Sequence, residues 1–334
     1  MTYTLVVDNL SAPVALLDGG DGSFYIVEQT GYIYNIKGNQ RKLLIDISKR
    51  ITPLNPMYDE RGLLNMIFHP SRKNIFYLYY TIPTDKSGFN CEVILEEWIL
   101  DDLPHPNRII FQWLHPETNH FGSPIGFSSD GLLYVGTGDG GGAGDNHGPI
   151  GNAQNDNSPW GKILTINVDL PTPLISIYAK GFRNPWRSSF APDGSIIVGE
   201  VGQDEYEGIH LVRKGENHGW RAYENGHVYD RQLAEQIGNV VPPVLWYGRA
   251  FGRAVIGGYQ VAQGYIFGDF TGGIHADNVY LIIGNTLILQ PRPENRLKYL
   301  SSFAKDSQGN IYALFNSSLG PSGKGAVYKI NINS

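Results

Sequence analysis

The chain has 334 residues, 41% hydrophobic and 12% aromatic, which is enough apolar surface for a fully packed globule. A formal net charge of −6 with no Lys/Arg block argues against a nucleic-acid partner, and the single cysteine, Cys91, excludes an intrachain disulfide framework and any cysteine-based zinc site. No apolar run approaches the ~18–20 residues that cross a bilayer as a helix, so no membrane insertion is expected.

The N-terminal stretch MTYTLVVDNLSAPVALL has no basic n-region leading into an apolar core. No signal peptide is expected there, and the compartment stays open. Forty-one glycines, 20 prolines and 20 tyrosines favour many short strands joined by tight turns. One phrase recurs along the chain: an Asp/Gly/Asn turn, a β-branched and aromatic strand, then often a second turn and strand. Its copies are Asp18–Ile36, Phe68–Ile82, Phe127–Gly140, Phe190–Val212, an irregular Val261–Val279, and Phe303–Ile330. A repeat of roughly 50 residues is that of a four-stranded propeller blade. No linker composition interrupts the pattern, which predicts one domain over residues 1–334: an all-β, six-bladed β-propeller with four-stranded antiparallel blades. Polar residues at strand ends then meet although they are distant in sequence.

Five stretches carry groups with chemistry. Tyr58–Pro70 sets Asp59, Glu60 and Arg61 just before an apolar strand, either as a solvated acidic turn or as part of a cation site. Cys91, in the strand-like CEVILEEWIL, reads as a buried thiol. In Thr118–Gly148, His120 enters a strand and is followed by the Gly/Asp loop TGDGGGAGDNHG. The imidazole is either a general base or a hydrogen-bonded residue at a strand edge. The loop reads as a wide turn in which Asp139 and Asp145 bond their own backbone. In GFRNPWRSSF, Arg183 and Asn184 precede a proline on extended backbone. There Arg183 is equally open to holding an oxyanion and to tying loop carbonyls. Gly199–Leu211 offers Gly202 and Gln203 carbonyls among carboxylates, a weak calcium signal on chemistry alone.

Taken together, RGLLNMIFHP, HFGSPIGFSSDGLLYVGTGDGG, AQNDNSPWGKILTINVD, YAKGFRNPWRSSFAPDG, VGQDEYEGIHLVRKGENHGW and GGYQVAQGYIFGDFTGG resemble, in order, the blocks of the glucose/sorbosone dehydrogenase family of soluble quinoproteins. Hedgehog-interacting-protein-like domains are similar. The resemblance implies a six-bladed propeller that oxidises an aldose or sugar alcohol with pyrroloquinoline quinone (PQQ) and calcium and passes electrons to an acceptor. It implies His120 as the base and Arg183 as the group that stabilises charge on the quinone. Glu60, Asn119, Arg183, Asn184, Thr271 and Lys298 fall at cofactor-contacting positions, and the carbonyls of Gly202 and Gln203 at the calcium.

Three departures accompany it. Glu60-Arg61 replace a Gln, as in the hedgehog-interacting-like branch. Asn119 replaces an Asp, so it orients the imidazole without steadying its cation. Thr271, Lys298 and Leu300 stand where some glucose dehydrogenases carry cations for the cofactor carboxylates. These departures keep open a non-catalytic propeller that binds a glycan or protein partner. A lactonase-like hydrolase would need a ring of inward carboxylates that Asp139, Asp145 and Glu200 do not supply.

Overall fold

The computed structural model describes residues 1–270, 279–283, 286–290 and 297–332. The chain divides into two compact units, residues 1–115 with 277–334, and residues 116–276. The first unit begins with β1 (Thr2–Ser11). It continues through the blade β2 (Pro13–Asp18), β3 (Ser23–Glu28), β4 (Tyr32–Lys37) and β5 (Gln40–Asp46), then the blade β6 (Leu63–Phe68), β7 (Ile75–Ile82), β8 (Cys91–Ile99) and β9 (Pro106–His115).

The second unit holds the blade β10 (Ser123–Phe127), β11 (Leu133–Thr137), β12 (Lys162–Asn167) and β13 (Leu174–Lys180). Next come β14 (Pro185–Phe190), β15 (Ile196–Glu200) and β16 (Tyr206–Val212). A small hairpin, β17 (Tyr223–Glu224) and β18 (His227–Val228), is inserted before this blade's outer strand, β19 (Leu245–Gly248). The unit ends with the antiparallel pair β20 (Val255–Val261) and β21 (Gly264–Asp269). Back in the first unit, β22 (Val279–Ile283) pairs with β23 (Thr286–Gln290). The blade β24 (Tyr299–Lys305), β25 (Ile311–Asn316) and β26 (Lys324–Asn331) is then completed by β1 from the N-terminus. Among the described residues α-helix is limited to two four-residue turns, α1 (Gly151–Gln154) and α2 (Arg231–Ala234).

The fold class is all-β, of propeller type, as the repeat predicted. Of the six blades expected, five four-stranded blades lie each within one unit, three in the first and two in the second; the sheet β20–β21–β22–β23 has strands in both. That sheet takes in the irregular copy Val261–Val279. Its strands β20 and β21 belong to the second unit and β22 and β23 to the first, and residues 271–278 between them lie outside the described residues.

The repeated turn has a common construction. In four blades a backbone N–H is answered by the carbonyl four residues on: Gly19 to Ser23, Ser128 to Leu132, Ala191 to Ser195, and Asp306 to Asn310. Inside it an Asp side chain accepts from the N–H two residues later, as Asp21 does from Ser23, Asp130 from Leu132 and Asp193 from Ser195. This Asx geometry is why Asp-Gly signals mark the junction of first and second strands. β-branched and aromatic residues then bury the strands, with Val27, Ile33, Phe76 and Trp98 in one core of the first unit, and Tyr134, Ile163, Phe182 and Val198 in the second.

Every first-to-second strand pair carries a register shift, at Pro13/Ala15, Leu63/Asn65, Pro124/Gly126, Pro185/Ser188, Val255/Gly257 and Leu300/Ser302. Such bulges bend a strand and re-aim its side chains. The antiparallel hairpin puts residues just before a first strand beside those just after a second. In the second unit this brings residues 120–122 against 138–141, and Arg183-Asn184 against 200–203.

Candidate functional site

The site grows from glycine. A Cβ on Gly138 would sit 1.9 Å from the His120 carbonyl, and one on Gly122 would sit 2.3 Å from the Gly136 carbonyl. Bare backbone in the TGDG segment therefore lets residues 120–122 lie flush against it. His120 itself adopts φ 64°, a left-handed conformation that non-glycine residues occupy at a cost, and it is buried. Its Nδ1 lies 2.7 Å from Asp139 Oδ1.

Asp139 is fully buried and accepts twice more, from the Trp220 indole Nε1–H at 2.8 Å and from the Gly141 N–H at 2.9 Å. Burial alone would raise its carboxyl. The charge and hydrogen bond of His120, with Arg183 and the Gly141 N–H, outweigh that and hold it below the usual carboxylate range. An ionised carboxylate only accepts, so Nδ1 carries the proton and Nε2 is the ring's basic nitrogen.

Arg183 and Asn184 stand at the start of the next blade, both buried. The Arg183 carbonyl accepts from the Asp139 N–H at 2.8 Å, and Asn184 Oδ1 accepts from the Gly122 N–H at 3.1 Å. The Arg183 guanidinium donates to Gln203 Oε1 (3.2 Å) and to the Val201 carbonyl (3.3 Å), and it lies 6.0 Å from the centre of the Trp220 ring. Its backbone N–H donates to Glu200 Oε1. Burial pushes Glu200 well above the usual carboxylate range, only partly opposed by that N–H. The other oxygen, Glu200 Oε2, is buried without a hydrogen-bond partner. A cavity of about 10 Å³, the room one water needs, is lined by Arg183, Glu200, Gly202, His210, His218 and Trp220, among others.

Residues 10–287 match the family profile described as Glucose / Sorbosone dehydrogenase. The chain belongs to the glucose/sorbosone dehydrogenase family. Among curated relatives, the HIPL2 protein of Arabidopsis thaliana is 33% identical over 196 residues, 48% of this chain and 27% of that protein. Quinoprotein glucose dehydrogenase B of Acinetobacter calcoaceticus is 26% identical over 253 residues, 65% of this chain and 51% of that protein. The matches thus take in about a quarter to a half of these relatives' lengths. A solved structure of the PQQ-bound form of aldose sugar dehydrogenase from Streptomyces coelicolor superposes with a TM-score of 0.72 at 17% identity, covering 99% of this chain and 98% of that one, and so shares the fold.

Against the family pattern, the residues fall into three groups. His120, Arg183, Asn184, Gly202 and Gln203 come together in the second unit, linked through Asp139, Glu200 and Trp220. Asn119 is adjacent in sequence but differently used: its Oδ1 accepts from the Gly142 N–H at 2.9 Å and so fixes the glycine loop. The carboxylate partner of His120 is Asp139, not the residue before it, and Asp139 spends only one of its bonds on its own loop. Asp145 is the loop-bonding aspartate, accepting from Asn152 and Ala153 N–H at 2.8 and 2.9 Å.

The third group lies in the first unit. Glu60 accepts from the Tyr58 hydroxyl at 2.5 Å, Lys298 is exposed and Leu300 is buried on β24. Thr271 falls outside the described residues. Trp220 is the site residue that sequence reasoning passed over, and Asp139 is the one it gave to its own loop alone. Asp139's place just beyond β11, the second strand of the hairpin that His120 enters, was the available signal.

The second unit fits a hard cation. Among the described residues no group of three His/Cys/Asp/Glu side chains is placed to hold a metal, so a cation would rest on backbone oxygens. No described residue donates to the Gly202 or Gln203 carbonyl. The unpartnered Glu200 Oε2 shares the cavity with Gly202. The turn is held by Glu224 Oε1, which accepts from Asp204, Glu205 and Tyr206 N–H at 2.7, 2.9 and 3.2 Å. Two carbonyls on a clamped turn are donors of the kind calcium takes. Arg183 would supply one cation for an acidic quinone.

Proposed function

We propose that the chain is a quinoprotein dehydrogenase that oxidises an aldose or sugar alcohol with PQQ and calcium and passes the electrons to a separate acceptor. The observation that carries this reading is the buried Asp139–His120 pair, held by Trp220 beside Arg183 and Asn184. His120 Nε2 takes the proton of a substrate hydroxyl. Asp139 keeps the ring in that tautomer and offsets the positive charge that forms on it. Arg183 faces negative charge as it develops, from a position fixed in advance by Gln203 and Val201. The Gly202 and Gln203 carbonyls would hold the cation, and Asn184 ties the two blades at Gly122. PQQ, when bound, supplies the two-electron acceptor for hydride from the substrate carbon, with calcium polarising it.

The test is titration of the purified apo-protein with PQQ and calcium by absorbance and calorimetry, followed by an aldose panel and a redox dye. Saturable binding at micromolar concentration or tighter, then sugar-dependent dye reduction, is expected. No binding at high cofactor would favour the second reading, a non-catalytic propeller that binds a glycan or protein partner. That reading draws on the HIPL2 likeness and on Arg61, whose guanidinium is engaged by Asp59 at 2.7 Å rather than presented to a ligand.

A further inference from the structure

The hairpin β17–β18 carries an aromatic residue that the proposed chemistry does not use. Tyr229, the residue after β18, is 40% exposed, and its ring centre lies 5.0 Å from that of Trp220. Trp220 is the indole that donates to Asp139, so Tyr229 stands one ring away from the Asp139–His120 pair. Its backbone is fixed: the Tyr229 and Asp230 N–H groups both donate to the Ala222 carbonyl, at 2.9 and 3.1 Å. Arg221 bonds the strip to the glycine loop through the Asp145 carbonyl at 3.1 Å and pairs with Asp230 at 3.5 Å. A side chain on Gly144 would begin 3.3 Å from the Tyr229 hydroxyl, so glycine there keeps the approach to that edge of the ring open.

Tyr229 packs on Trp220 with part of its ring and leaves two-fifths of its surface in water, a flat apolar face open to a ligand. A cyclic sugar offers the complementary surface: one face of C–H bonds that loses little on leaving water, and hydroxyls at its edge for Arg221, Arg183 and the loop backbone. Stacking one ring on the other fixes the sugar's orientation before reaction, which is the positioning a site with a single base needs. We propose that Tyr229 is a substrate-positioning platform that takes the apolar face of a pyranose beside the Asp139–His120 pair. The proposal rests on the sugar dehydrogenase reading and narrows its substrate class to ring-closed aldoses.

The experiment compares wild type, Tyr229→Ala and Tyr229→Phe, each loaded with PQQ and calcium, in steady-state dye reduction. The expected result is a rise of about tenfold in KM for pyranoses in Tyr229→Ala, about 1.4 kcal/mol, with kcat within about twofold. Tyr229→Phe restores the wild-type KM. Unchanged KM in Tyr229→Ala, or a phenylalanine variant as impaired as the alanine one, overturns the platform. Saturation-transfer NMR with methyl pyranosides, on the same proteins without dye, separates this outcome from failure of the dehydrogenase reading. Ring-proton contact present in wild type and lost in Tyr229→Ala supports the platform even if no sugar is oxidised. Contact absent from wild type, or unaltered by the substitution, removes it.

Discussion

Two buried aspartates, one in each unit, show how the partner decides what a carboxylate is for. Asp59 lies just before β6 and Asp139 just after β11, and their side chains are 2% and 0% exposed. Burial opposes ionisation in both, and in both a nearby base overcomes it, the Arg61 hydrogen bond for Asp59 and the His120 charge for Asp139. Arg61 meets Asp59 with two prongs, Nε at 2.9 Å and Nη2 at 2.7 Å, and also donates to Asn90 Oδ1 at 3.0 Å and the Pro53 carbonyl at 3.3 Å. A guanidinium does not release its proton at any working pH, so that pair is a permanent clasp on residues 53–61. His120 meets its aspartate through Nδ1 alone, from a backbone at φ 64°, and an imidazole, unlike a guanidinium, can give up its proton. The first arrangement stabilises; the second is the one that the proposed function assigns to chemistry.

Substitutions that trade the two roles test this contrast. His120→Ala is expected to have the largest effect, a fall of about 10²–10⁴-fold in sugar-dependent turnover with PQQ affinity nearly intact. Calorimetric loss of cofactor binding in parallel with rate would make His120 structural and erase the contrast. Arg61→Ala is expected to lower unfolding free energy by about 3 kcal/mol, because it strands the buried Asp59 charge. Folded enzyme at low temperature should keep its turnover, and a rate loss without a stability loss would move Arg61 into the site. Trp220→Phe keeps the ring but removes one of the three donors to Asp139. A loss of about 1 kcal/mol in stability and about tenfold in kcat is expected, read by urea unfolding and single-turnover dye reduction. A kcat equal to wild type would mean that the Gly141 N–H and His120 suffice to hold the carboxylate.

Much of this was legible in the sequence, and the gaps have physical causes. Strand and turn signals are local, so Asp-Gly turns such as Ala191–Ser195 and the bulged first strands follow from short windows. The blade count depended on a copy, Val261–Val279, whose strands divide between the units. His120, Arg183 and Asn184 stood out because a histidine, or an arginine before Asn-Pro, at a strand edge is chemically conspicuous. Asp139 did not, because an aspartate among glycines looks the same in sequence whether it caps its loop or reaches 19 residues back to an imidazole. Trp220 is 81 residues from Asp139, and only the packing of one blade's hairpin against its neighbour brings the two together. Asn119 was misplaced for the opposite reason: adjacency to His120 gave it the orienting role, whereas positive φ at His120 turns the two side chains onto different partners.

A second acid–arginine pair sharpens the comparison through pH. Glu207 on β16 is fully buried, bonded to Arg249 and to the Val255 N–H, the latter at 2.8 Å. Burial, reinforced by the neighbouring Asp269 charge, pushes its carboxyl up to about 8 despite Arg249. Its folded value is above its unfolded one, so the folded state binds the proton more tightly between about 4.5 and about 8. Stability from this group is complete below that window and is lost as pH rises through it. Asp139 has the reverse sign: its contribution is present above the usual carboxylate range and is lost as pH falls through its depressed value. Between pH 6 and pH 8, then, the second unit should lose up to about 1 kcal/mol per unit of pH, read as a falling urea midpoint at constant ionic strength. Glu207→Gln should reduce that slope, which the raised Glu200 shares, while leaving the acid limb, which belongs to carboxylates such as Asp139, where it was. A wild-type midpoint that does not move across the window would mean that Arg249 keeps Glu207 ionised, making it a clasp of the Asp59–Arg61 kind.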